Sequence, residues 1–158
     1  MPSKGSSLLA GRNKAPLTPE QIKRATNTFL GFDNSVNTRY DPNASTAFRV
    51  TTDENGTQFG EIVFGPDIYP GASVVDQNAA LSLQAASAHE LTHYHRWADL
   101  LAINDVHLEH LDEASTSLQA ISRYHGKLND IDIRQLAADA MMRMQLFIKE
   151  AVPGIERK

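Results

Sequence analysis

The chain contains no cysteine. Disulfides and thiolate-held metal clusters are therefore excluded, and any metal ion must be held by His, Asp or Glu. The absence also agrees with a reducing compartment. Long apolar runs are missing as well. The longest near the N-terminus is Leu8-Leu9-Ala10, too short for the apolar centre of a signal peptide. No stretch approaches the roughly 20 apolar residues of a spanning helix. A cytoplasmic location without a membrane partner is the expectation. Nor is there an excess of basic charge. The net charge of −4 leaves no electrostatic footprint for a nucleic acid.

What is present suits a single globular domain: 41% hydrophobic and 22% charged residues in a chain of 158, long enough to bury a core without staples. Residues 1–17 read as a flexible arm and 18–158 as the domain. The arm carries Lys4, Arg12 and Lys14 among Ser and Gly, with no acid. Thr18-Pro19-Glu20 is a helix start, with a cap followed by proline at the first helical position. Ile22, Ala25, Phe29 and Leu30 keep helical spacing, which predicts a helix over 19–30. Residues 32–45, rich in Asn, Asp and Ser, read as loop.

Two β-prone runs flank Asp53-Glu54-Asn55-Gly56 and predict a hairpin. Its second strand puts Phe59, Glu61 and Val63 on one face and Ile62 and Phe64 on the other. A Pro/Gly loop follows at 65–73. A long helix, with Asp76 as cap, is expected to reach 103, where Asn104-Asp105 interrupts it. A second helix extends to about 125 and stops at Gly126. A third, over 131–151, would bury Ile133, Leu136, Ala137, Met141, Met144, Phe147 and Ile148. The fold class is α+β: mostly helical, with a small β-hairpin or sheet packed on the long helix.

That long helix carries "SAHELTHYHRW", residues 87–97. His89-Glu90-Leu91-Thr92-His93 fits H-E-x-x-H, a pattern that random shuffling of this composition gives about 0.01 times per chain. Residues i and i+4 lie one turn apart on one helical face, so two imidazoles can converge on one Zn²⁺, and Glu90, one step round, can reach a water bound to it. A third ligand at Asp99 fails, because an uninterrupted helix puts it on the wrong side of His93. Glu113 fits better. From His93 to residue 104 is about 16 Å of helical rise, and from 105 back to Glu113 about 12 Å. An antiparallel hairpin of the two helices therefore brings Glu113 within reach. His107 and His110 lie on the same returning helix.

H-E-x-x-H, nineteen residues, and then Asp112-Glu113-Ala114-Ser115-Thr116-Ser117 resembles the gluzincin metallopeptidases of the thermolysin type, whose third-ligand segment reads Asn-Glu-Ala-x-Ser-Asp. The size is similar to that of the small intracellular ImmA/IrrE-type peptidases. The resemblance spans residues 57–117. It implies a zincin-like domain, a Zn²⁺ cofactor on His89, His93 and Glu113, and Glu90 as general base in hydrolysis of a protein or peptide substrate by a metal-bound water. Ser117 stands where the family has an aspartate that orients the first zinc histidine, so Asp112 and Ser117 are candidates for that role. A Tyr or His outside the motif often stabilises the oxyanion in the family, which makes His110, Tyr124 and His125 candidates. Zincins also present an exposed strand above the metal to an extended substrate, and Glu61, Ile62, Val63, Phe64 and Gly65 are the candidate edge.

Two other readings start from the same residues. Glu90-Leu91-Thr92-His93 also spells E-x-x-H, the half-motif of di-metal carboxylate proteins, but no second copy exists in the chain. A non-catalytic zincin-like interaction module is the other.

Overall fold

A computed structural model describes residues 12–71 and 81–152. Helix α1 (Pro19–Phe32) begins at the capping signal seen in the sequence. The Thr18 hydroxyl accepts from the Gln21 N–H, and the Gln21 side chain accepts in return from the Thr18 N–H. Three strands follow: β1 (Asn37–Tyr40), β2 (Ala47–Thr52) and β3 (Gln58–Phe64), in the spatial order β1-β3-β2. The β2–β3 hairpin forms as expected, with Gly56 in the left-handed region at φ 81° that an Asn-Gly turn requires.

β1 lies inside residues expected to be loop. It pairs parallel to β3, from Asn37 opposite Glu61 to Tyr40 opposite Phe64, and the Tyr40 ring packs on Phe64 with centroids 5.5 Å apart. Only one of its four residues is apolar, so no alternation marks it. Its presence overturns the expectation for Glu61–Gly65. Those residues do not form an exposed edge, because β3 is the inner strand with partners on both sides. Ile62, Val63 and Phe64 are fully buried. At Gly65 a Cβ would stand 1.8 Å from the Ala44 carbonyl oxygen, so glycine is required there by a crossing chain.

Helix α2 (Leu83–Ala98) starts later and ends earlier than expected. The proposed Asp76 cap lies outside the described residues. The observed cap is Ser82, whose hydroxyl accepts from the Ala85 N–H. α2 stops because Leu100 turns to φ 61°, and the N–H groups of Leu101 and Ala102 close onto the Arg96 carbonyl. A 3₁₀ turn at Val106–Leu108, capped by Asp105, leads into α3 (Glu109–Tyr124), and α4 (Asp130–Ala151) returns along it.

Helix α4 shows a second departure. Of the side chains expected to face inward, Leu136 is buried and Ile133, Ala137, Met144 and Phe147 are partly buried, whereas Met141 and Ile148 face solvent at 65% and 42% exposure; Asp132, Gln135 and Ala140 are buried beside Leu136. Apolar spacing misjudges the extent of the face because part of what α4 turns inward is polar. Ser82 shows why: its hydroxyl donates to Asp132 (2.6 Å) and its N–H to Gln135 (2.6 Å), docking the start of α2 on α4.

The end of the expected flexible arm is anchored. The Arg12 guanidinium donates to the carbonyls of Asp67, Ile68 and Leu81, and Leu17 is buried. Three main-chain acceptors converging on one side chain outweigh the loop-like composition. Phe29, Ile62, Phe64, Ile68, Leu91 and Leu136 are the large apolar side chains at the centre of the core, between the sheet and the helices. The architecture is thus mostly helical α+β. Among the described residues no helix is long and apolar enough to cross a membrane.

Candidate metal centre

His89 and His93 project from one face of α2, as i, i+4 spacing dictates, and Glu113 meets them from the first turns of α3. His89 Nε2 lies 2.9 Å and His93 Nε2 3.1 Å from Glu113 Oε1, and the two Nε2 atoms are 3.1 Å apart. Donors around a tetrahedral zinc, with bonds of about 2.0–2.1 Å, stand about 3.3 Å apart. The three atoms thus form a tripod close to the required size.

The rings are held by what lies behind them. The Ser117 hydroxyl has one proton and donates it to Asp139 Oδ2 (2.6 Å). Ser117 must therefore accept from His89 Nδ1, 2.8 Å away. Thr116 donates to the Asp112 carbonyl (2.8 Å), which leaves its oxygen to accept from His93 Nδ1 at 3.4 Å. Both imidazoles thereby carry the proton on Nδ1 and turn the Nε2 lone pair towards Glu113. Two lone pairs and a carboxylate facing one another repel unless a cation lies between them. In the metal-free protein a proton serves. Burial would lower the His93 imidazole, but its hydrogen bond to Glu113 and the charges of Glu113, Glu90 and Asp112 raise it to about 9. Burial likewise opposes the charge on Glu113, and the two histidines overcome it, holding the carboxyl well below its usual range. The donor set and its orientation both suit a divalent metal ion, zinc among them.

Glu90 stands beside the tripod, and its Oε1 accepts from the Phe48 N–H of β2 (3.2 Å). Burial pushes its carboxyl up, partly offset by His93 and His89. Asp112 is fastened by Arg96 (2.7 Å) and by the Ile103 N–H (3.0 Å), and lies 4.0 Å from His93 Nδ1. Of the two candidates for orienting the first histidine, Ser117 contacts His89, whereas Asp112 lies behind His93 instead.

The oxyanion candidates have other contacts. His110 is buried and its Nε2 lies 3.1 Å from Glu150 Oε2. Tyr124 is about 16 Å along α3 from Glu113, edge-on to Phe32 at 5.1 Å. His125 contacts the Ser122 carbonyl on the surface. Two residues that sequence reasoning missed do reach the site. Asp139 contacts Ser117, and Arg143 donates from Nε to Asp139 (3.0 Å) while its Nη1 lies 3.7 Å from Glu113 Oε1. The signal was a polar stripe: Asp132, Gln135, Asp139 and Arg143 recur at helical spacing on α4.

Among the described residues, His89, His93 and Glu113 are the one group of three or more such side chains placed to share an ion. No known protein-family model matches the chain, and searches of the curated proteins and of the solved structures found no match either.

Proposed function

We propose that the protein is a zinc-dependent metallopeptidase of the gluzincin kind, with His89, His93 and Glu113 holding the ion and Glu90 as general base. The observation that carries this reading is the tripod itself: three donor atoms 2.9–3.1 Å apart, their ring tautomers set from behind. Bound there, zinc supplies Lewis acidity towards a carbonyl oxygen and acidifies water. The chain's own residues do the rest. Glu90 sits next to His89 but turns off the ligand face, and its buried carboxylate is a stronger base than an exposed one. It takes the proton of the attacking water and returns it to the departing amine as the C–N bond breaks.

The sheet supports a place for the substrate as well. β2, not β3, is the edge strand beside α2. The Phe48 N–H that reaches Glu90 points away from β3, and alternation turns the main chain of Val50 the same way. An extended peptide can therefore add to β2 and pass in front of Glu90. A protein or peptide substrate suits such an edge.

Zinc content and cleavage of a peptide library by the purified protein test the proposal. One equivalent of zinc is expected, lost in His89→Ala, together with cleavage that disappears in Glu90→Gln while zinc remains. A protein that takes up no zinc, or a Glu90→Gln variant that cleaves as fast as the parent, overturns it.

A further inference from the structure

We infer that Asp139 of α4, acting through the Ser117 hydroxyl, is the positioning carboxylate for the first zinc histidine. The inference rests on the zinc reading above. α4 supplies none of the three ligands, yet it places two ionic side chains against them. Asp139 is nearly buried, with 10% of its side chain exposed, and it receives the Ser117 proton at 2.6 Å. Ser117 is completely buried and receives His89 Nδ1 at 2.8 Å. The order of donation is forced, since a carboxylate can only accept and the hydroxyl has one proton. The negative charge of Asp139 thus reaches His89 through a single hydroxyl, holding the ring and making Nε2 a better donor to a cation.

Arg143 completes the arrangement. It donates to the same Asp139 oxygen at 3.0 Å and approaches Glu113 at 3.7 Å, so one guanidinium ties the positioning acid to the third ligand. The serine at 117 has no charge of its own to place behind His89. The space behind it is filled by a carboxylate from another helix. α4 thereby becomes part of the metal centre without touching the ion.

The test is zinc affinity, measured by competition with a chromogenic chelator, in the full-length parent, Ser117→Ala, Asp139→Ala, the double alanine variant, and Asp139→Ala combined with Ser117→Asp. Metal-free melting curves of each are recorded alongside. Each single alanine variant is expected to weaken zinc about 10–100-fold. The double variant should be little worse than the weaker single, because both act along one path. Ser117→Asp should recover affinity in the Asp139→Ala background by placing a carboxylate directly on His89. A folded Asp139→Ala that binds zinc as tightly as the parent overturns the inference, even if it melts lower, since that is what a purely structural tie between helices would give. Should Asp139→Ala fail to fold, parent affinity in Ser117→Ala overturns it equally. If the parent binds no zinc, the proposed function has failed; if the parent binds and the variants match it, only this inference has.

Discussion

Glu90 is held by competing demands: burial penalises its charge, two histidines favour it, and a main-chain N–H from β2 fixes one oxygen. Glu90→Gln keeps an oxygen for the Phe48 N–H while removing the basicity. Hydrolysis is expected to fall about 10²–10⁴-fold, with zinc stoichiometry unchanged and metal-free stability equal or higher, since an uncharged amide is easier to bury. Peptide cleavage, metal analysis and a urea titration of the same preparation check the three parts. Asp33 offers a pH prediction away from the metal. Burial would raise its carboxyl, but hydrogen bonds from Ser35 and the contact with His95 (2.6 Å) lower it below the usual 3.8. A lowered folded-state value stabilises the protein fully above that range, and the contribution is lost as pH falls through the folded value. Asp33→Asn should therefore flatten the acid limb of the stability curve below pH 4 by about 1 kcal/mol or less, read from urea midpoints at several pH values.

At the scale of elements, two backbone positions decide how the site is framed. Leu100 ends α2 in the left-handed region while 92% exposed, a conformation that costs an ordinary residue about 1–2 kcal/mol. Leu100→Gly removes that strain and loses almost no packing. After the extra freedom glycine has in the unfolded chain, about 0.4–1 kcal/mol, a net gain of up to about 1 kcal/mol is expected, visible as a melting point raised by a few degrees. Gly65 is the opposite case. Its missing Cβ is what lets the chain at Ala44 pass, since an added Cβ would stand 1.8 Å from the Ala44 carbonyl oxygen. Gly65→Ala should cost about 2 kcal/mol or more and loosen the end of β3, measured as a lower urea midpoint.

For the molecule as a whole, the proposed ligands come from two helices and their support from a third, so an ion at the tripod would staple α2 to α3 and, through Ser117 and Asp139, to α4. Anything that binds only the folded state stabilises it by mass action, about 4 kcal/mol at a thousandfold excess over Kd. For a chain of 158 residues that is a melting shift on the order of 10 °C. Chelation should lower the melting temperature of the parent by this amount and leave His89→Ala unaffected. Equal melting of the parent with and without zinc would contradict the staple.

Sequence alone determined the features whose cause is local. The i, i+4 histidines share a face because of helical pitch, the β2–β3 hairpin follows from Asn55-Gly56, and α1 follows from Thr18-Pro19. Glu113 was also readable, although both helix ends were misjudged. α2 stops at Ala98 instead of 103 and α3 starts at Glu109 instead of 106, so the two helices shortened together and the antiparallel match survived. Tertiary structure alone decided the rest. Asn37–Tyr40 becomes a strand only because β3 offers it a free side, and that pairing makes β3 the inner strand, with β2 left as an edge. Asp139 and Arg143 gain a role only when α4 docks against α3. Such contacts join residues far apart in the chain, and a single sequence carries no local propensity or period that names a distant partner.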